Sequence, residues 1–267
     1  MQKKDHRSTE EVEERLRLAS STIYEIVAVE GREELRRPLQ ALGWSGFVAG
    51  ICITFSLFCE GFIRHHMPEG DNYLVENLGY TVGFLIVIIG RFQLFTENTI
   101  TVILPLLERF SLYKFSRVMQ LWAVVLGCNL LGTFLIALLI SHVPFFTSEQ
   151  FSVFIDISKH AIERDMGTIF VQAIPAGFLI ATLVWMLPSA EFSQFWVITL
   201  MTYLIAIGDF THIIAGSAEA FLLILNGETA ISQGLGYVAM AGLGNIIGGT
   251  GLFALMAYAQ VRDEMAR

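Results

Sequence analysis

Residues 208–221 read GDFTHIIAGSAEAF and close an apolar run, EFSQFWVITLMTYLIAI. Asp209, Thr211, His212, Ser217 and Glu219 therefore fall where hydrocarbon is expected. Ionisable side chains at that depth cost roughly 2.5–3.5 kcal/mol on insertion scales and mark solute or proton pathways. His212 is the most informative of them. A neutral imidazole can pass a proton to a weak-acid anion or polarise it by hydrogen bonding; the plainer alternative is packing glue between helices. A second polar interruption, GRFQLFTEN, occupies 90–98. Its Thr96 can offer a hydroxyl to the same solute, or simply bond the local backbone. Leu94, Phe95, Phe92 and Phe210 are bulky enough to form a constriction against hydrated ions, or to pack the bundle. Arg91 and Asp209 stand at matching places with opposite charge. They are expected to form a buried ion pair, with Glu97 or Glu219 as further partners, or else Arg91 is a vestibule charge that draws anions. Glu60 is expected to reach the aqueous edge.

Such residues need elements that hold non-helical backbone at membrane depth, where unpaired N–H and C=O groups are costly. Only protein or a water-filled cavity can supply partners there, so both interruptions should face inward. Each is expected to lead into a half-helix whose free N–H groups and dipole favour an anion. Gly90, Gly208 and Gly216 are expected to let the backbone turn and approach closely. Asn129 and Asn245 are expected to bond the freed backbone, and Gly132, Gly248 and Gly249 to let helices pack closely.

Composition agrees with a membrane setting. Only 16% of the 267 residues are charged and mean hydropathy is +0.59, against about 25% charged in soluble domains. Apolar segments run over 41–63, 78–107, 115–140, 168–187, 192–225 and 234–259. A crossing needs about 20 residues, so the first, third, fourth and sixth are single crossings, while the second and fifth are overlong and broken. Six crossings put thirteen Lys and Arg residues on the side of both termini and three on the other, which predicts cytoplasmic termini in a cell (inner or plasma) membrane. The breaks at Gly90-Arg91-Phe92 and Gly208-Asp209-Phe210 are offset by 118, and Asn129-Leu130-Leu131-Gly132 and Asn245-Ile246-Ile247-Gly248 by 116. Two motifs at nearly one offset indicate duplication. Three crossings per half make the repeats inverted, which points to a transport path at their interface. The expected fold is all-α and integral to the membrane, with a cytoplasmic segment over 1–38, a six-span domain over 39–262 (repeats about 39–141 and 164–262) and a tail over 263–267. An amphipathic helix over 8–37, opened by a Ser8/Glu11 capping box, is expected to lie against the membrane domain or a neighbouring subunit.

The LFT of residues 94–96, the histidine of GDFTHIIAG, NLLG at 129–132 and GNIIGG at 244–249, in this order, resemble the formate/nitrite transporter family. The resemblance spans roughly 40–260. It implies an aquaporin-like protomer of six spans and a homopentamer with one pore per subunit. It also implies passage of small weak-acid anions such as formate, nitrite, hydrosulfide or lactate, often with a proton. His212 and Thr96 would face each other across the pore, and Leu94 and Phe95 would narrow it. Departures from the family pattern are Arg91 and Gln93 before LFT, Glu97 after it, Gly216 four residues after the histidine, and Gly177 in the fourth span. The family's basic residue before that span corresponds to Lys159 or Arg164.

The absence of Asn-Pro-Ala at either break argues against an aquaporin proper. Two other classes stay open: a facilitator of neutral solutes or water, and a non-conducting regulatory membrane protein. An enzyme is not expected, since no phosphate loop, nucleophile elbow or metal spacing occurs. Cys52, Cys59 and Cys128 lie in apolar stretches without zinc spacing. No cofactor is called for, no basic stripe suggests nucleic acid, and the N-terminal region does not read as a cleaved signal peptide. The expected partners are the bilayer, a small anion and protons.

Overall fold

The computed structural model describes residues 18–68, 70 and 72–265, and no strand occurs among them. In chain order the helices are α1 (Ser20–Glu34), α2 (Leu39–Ile53), α3 (Phe55–His66), α4 (Tyr73–Glu76), α5 (Thr81–Ile89), α6 (Asn98–Thr101), α7 (Leu104–Glu108) and α8 (Leu112–His142). They continue as α9 (Ser148–Ile162), α10 (Met166–Met186), α11 (Gln194–Ile207), α12 (Ile213–Leu225), α13 (Ile231–Ile246) and α14 (Leu255–Met265). Among the described residues four stretches are long and apolar enough to cross a membrane: Leu39–His66, Leu112–His142, Met166–Ser189 and Ile231–Glu264. Shorter apolar helices, Tyr73–Ile89 with Asn98–Glu108 and Gln194–Ile207 with Ile213–Leu225, make up the two broken segments.

Local chemistry sets these boundaries. Ser111 accepts the Lys114 N–H at the start of α8, which at 31 residues is about 46 Å long. Asp165 caps α10, with its carboxylate on the Thr168 N–H, and the Thr168 hydroxyl and amide hold that carboxyl below its ordinary range. Between α13 and α14 the chain runs as a π-helix, Ile247–Ala254. This widened turn presents Gly249 to Thr99, and Thr250 Oγ1 donates to the Thr99 carbonyl at 2.5 Å.

The two halves pack alike. α2 lies along α8, and α10 along α13. Gly50 meets the backbone of Asn129 so closely that a Cβ would collide with it, and Gly177 meets Asn245 in the same way. Gly132 rides on the Phe47 carbonyl and Gly248 on that of Ile174. Gly177 is thus a packing glycine equivalent to Gly50. Central to the molecule, α12 is buried along most of its length.

The N-terminal helix is described only in part, and the link between the halves differs from expectation. Among the described residues the N-terminal helix runs Ser20–Glu34; Ser8, Glu11, Val12 and Leu16 lie outside them. α1 is fastened to α7 by Tyr24 Oη donating to the Leu104 carbonyl at 3.0 Å and by an Arg32–Glu108 ion pair at 2.9 Å. The connection between halves, given no element from the sequence, contains α9. Its signature is the Thr147/Gln150 capping box followed by Phe151, Phe154, Ile155 and Ser158 on one face. Phe154 enters a cluster with Phe58, Phe62 and Phe146.

Candidate functional site

Both breaks are built by the same helix ending. At the end of α5 the Arg91 N–H donates to Ile88 O (3.1 Å) and the Phe92 N–H to Val87 O (3.0 Å). At the end of α11 the Asp209 N–H donates to Ala206 O (3.0 Å) and the Phe210 N–H to Ile205 O (3.0 Å). This is the Schellman pattern, in which the residue after the cap is left-handed. That residue is not the glycine, as the sequence reading had it. Arg91 (φ 56°) and Asp209 (φ 53°) turn the chain, at a cost of about 1–2 kcal/mol each relative to glycine. Gly90 and Gly208 keep helical φ and instead make room for the rings of Phe92 and Phe210.

Past each turn the extended backbone is held by an asparagine. Asn129 Oδ1 accepts the Phe95 N–H at 2.9 Å, while its Nδ2 donates to Gly46 O (2.7 Å) and Gln93 O (2.9 Å). Asn245 repeats the arrangement, accepting the Ile213 N–H at 2.9 Å and donating to Ala173 O (2.8 Å) and Thr211 O (2.9 Å). Much of the N–H capacity expected to await an anion is therefore spent within the protein. After the first break the short helix Asn98–Glu108 is itself interrupted, running as α6 and then α7.

Where the two breaks meet, His212 Nε2 lies 2.8 Å from Thr96 Oγ1. Both residues are buried, at 1% and 0% exposure. His212 is also the N-cap of α12, its Nδ1 accepting the Ala215 N–H at 3.2 Å. That bond leaves Nδ1 without a proton, so the ring N–H is on Nε2 and donates to the threonine oxygen. Phe84 packs edge-on to the imidazole at 4.9 Å.

One cavity reaches His212, and another lies beside the segment that carries Thr96. One, of about 70 Å³, is lined by His212 and includes Phe210, Arg164, Asp209, Glu60 and Glu219. The other, of about 170 Å³, is lined by Leu94, the residue equivalent to His212, with Phe92, Arg91, Gln93 and Glu97. Phe95 lines neither; its ring packs on Trp122 at 5.5 Å. Trp122 Nε1 in turn donates to the Asn98 carbonyl at 3.1 Å.

The expected Arg91–Asp209 pair does not form. Equivalent positions in the two halves face different cavities, so each charge finds its own partner. Arg91, largely exposed, reaches Glu30 of α1 at 3.1 Å. Asp209 is held by Arg164 at 2.9 Å and His160 at 3.0 Å. Neither Glu97 nor Glu219 joins either pair, and among the described residues Glu97 Oε1 is buried without a hydrogen-bond partner. Of the two candidate basic residues, Arg164 reaches the break, bonding also the Asp209 carbonyl (3.1 Å) and Gln172 (2.8 Å). Lys159 pairs with Glu228 at 2.6 Å instead. Glu60 is buried at 7% exposure rather than at the aqueous edge, because α9 and the Tyr80 region cover it. Gly216 lies within α12, where the Tyr237 hydroxyl occupies the space a side chain would need.

Sequence reading missed Tyr237, Phe84, Trp122 and His160. Their spacing along the chain carries no signal, since each meets the breaks only through helix packing. Comparison with known proteins completes the description. A family model described as Formate/nitrite transporter matches residues 21–259. The chain belongs to the formate/nitrite transporter family. It is 42% identical over 257 residues to Inner membrane protein YfdC of Escherichia coli (strain K12), covering 95% of this chain and 83% of that one. It is 24% identical over 247 residues to Uncharacterized transporter YrhG of Bacillus subtilis (strain 168), covering 88% and 92%. Among solved structures it is similar to an FNT family ion channel (TM-score 0.77, 15% identity, 89% of this chain and 98% of that one). A pentameric formate channel with formate bound is also similar (TM-score 0.70, 20% identity, 84% and 97%). This member of the formate/nitrite transporter family has several helices able to cross a membrane, and it belongs with transporters and not with enzymes.

Proposed function

We propose that the chain passes a small monovalent weak-acid anion, formate- or nitrite-like, together with a proton through His212. The reading rests on one observation above the rest: the Thr96 Oγ1–His212 Nε2 contact of 2.8 Å, buried where two broken helices meet, with His212 lining a cavity. With the ring proton engaged on the threonine oxygen, the Thr96 hydroxyl hydrogen is left for a third group, and an anion there would sit beside the Nε2–H. Each half, with its broken segment counted as one crossing, contributes three crossings, and the termini are assigned to the cytoplasm. The membrane domain is taken as 39–262, with 1–38 and 263–267 outside it, assembled as a homopentamer like the pentameric relative.

A second reading, a facilitator of uncharged solutes, is favoured by a specific feature. Among the described residues, the arginines of both cavities are neutralised, Arg91 by Glu30, Arg164 by Asp209 and Arg64 by Glu76. Neither cavity offers an anion an unpaired arginine. A net-neutral load of anion plus proton suits such walls as well.

Proteoliposome uptake separates the two. Formate, nitrite and lactate are each offered at two external pH values with the wild type and His212→Ala. The anion reading expects uptake that rises as the outside is acidified and is lost in the variant. Uptake unchanged in His212→Ala would remove the histidine from the mechanism; rapid pH-independent swelling with uncharged solutes would select the second reading.

A further inference from the structure

The cavity beside His212 contains more oxygen than the protein uses. Glu60 and Glu219 are 7% and 5% exposed. Among the described residues neither carboxylate makes a hydrogen bond or an ion pair, yet neither has an oxygen sealed off without a partner, so both face the cavity they line. The charges acting on Glu60 are Arg64, Glu76 and Asp209; those acting on Glu219 are Glu60 and Arg164. Both arginines are already engaged. Arg64 forks onto Glu76 at 2.9 and 2.5 Å, and Arg164 is bonded to Asp209 and Gln172. Two carboxyl groups are left over without a partner inside the protein, where each must either keep its proton or gain a counter-charge.

The same wall holds uncharged oxygens with spare capacity. The Tyr80 and Tyr237 hydroxyls line the cavity and make no hydrogen bond among the described residues, and both lie within electrostatic reach of Glu219. Asn77 donates its amide N–H to the Tyr73 carbonyl at 2.7 Å, leaving its Oδ1 free. Carboxylate, hydroxyl and amide oxygens are the ligand set of a hard cation, while the imidazoles of the same cavity are engaged, His212 with Thr96 and Ala215 and His160 with Asp209. No group of three or more His, Cys, Asp or Glu side chains is placed to hold a metal among the described residues, which disfavours a divalent or transition ion. About 70 Å³ of space accommodates a small ion with a few waters.

We infer that Glu60 and Glu219, with the hydroxyls of Tyr80 and Tyr237, form a binding site for a monovalent alkali-metal cation in the cavity next to His212. The site stands independently of which solute crosses, because its groups are satisfied by the cation itself.

The test is cation-dependent stability of the full chain in detergent. Melting is followed in sodium, potassium or choline chloride at one pH and one ionic strength. A ligand that binds only the folded state raises the midpoint saturably. The expected result is a rise of a few degrees in sodium or potassium over choline, lost in Glu60→Gln/Glu219→Gln. Tyr237→Phe, which removes one oxygen and keeps the ring edge against Gly216, is expected to raise the half-saturating concentration several-fold. Equal midpoints in all three salts would overturn the site, as would a cation effect that survives in the double variant. So would a rise that follows pH alike in choline and sodium, which would assign the carboxyl pair to protons. If the double variant does not fold, an unchanged half-saturation in Tyr237→Phe overturns the site. Absence of anion uptake by the wild type bears only on the proposed function.

Discussion

His212 joins two tasks that mutation can separate. Its Nδ1 caps α12 through the Ala215 N–H, and its Nε2 meets Thr96. Alanine removes both, so a dead alanine variant alone would confuse a lost cap, worth about 1 kcal/mol, with lost proton chemistry. Asparagine is a good N-cap and does not titrate. On the proposed reading, His212→Asn should accumulate and melt close to wild type while losing the acid stimulation of anion uptake; retained stimulation would show that the proton travels elsewhere. Arg91 and Arg164 give a second residue-scale contrast. Arg164 is mostly buried and ties Asp209, its carbonyl and Gln172 together, so Arg164→Ala should cost about 1.5–3 kcal/mol, in the range for hydrogen bonds to charged groups. Arg91 is 74% exposed on the side chain and its pair belongs with surface bridges of about 0–1 kcal/mol. Thermal melting of the two variants checks the order, and a larger loss in Arg91→Ala would contradict the assigned partners.

At the scale of elements, the breaks depend on Asn129 and Asn245 more than on their glycines. Asn129→Leu would leave the Phe95 N–H and the Gln93 carbonyl unpaired in a buried place and take a second bond from the helical Gly46 carbonyl, at about 1–3 kcal/mol for each unpaired group. The folded yield of Asn129→Leu, and of Asn245→Leu by the same count, should fall steeply in detergent size-exclusion profiles. Near-normal yield would mean that the backbone finds other partners. These elements were legible in the sequence for a physical reason. A polar interruption in an overlong apolar run and an asparagine–glycine motif repeated at one offset are both local patterns. The meeting of Thr96 and His212 was legible only through the family resemblance, since nothing local says that two breaks touch. What local pattern could not reveal was which way equivalent positions face. Arg91 and Asp209 look like partners along the chain because their charges are opposite, yet the pseudo-symmetry sends them to different cavities. α9 escaped notice because an amphipathic helix of mixed composition has neither a spanning run nor an obvious break, although its capping box was there to read. Tyr237 at Gly216 and the π-turn at Gly249 are packing relations between distant segments, which spacing does not encode.

For the whole molecule the decisive fact is that the central contact joins Thr96 and His212 from the two halves of one chain. Apolar side chains such as Trp44, Leu131, Val171 and Trp196 remain exposed on the outside, a surface that suits lipid or neighbouring copies. If the chain assembles as the proposed homopentamer, neighbours then support the path without completing it. Native mass spectrometry should find five copies of the 29.8 kDa chain. Activity in mixed assemblies supplies the sharper test. Co-expressing wild type with His212→Ala, differently tagged and reconstituted at known ratios, should give anion uptake that falls in direct proportion to the wild-type fraction. Five subunits gating one shared pore would instead give a loss far steeper than linear. A steep curve would place the path between subunits, where none of the Thr96–His212 geometry could serve it.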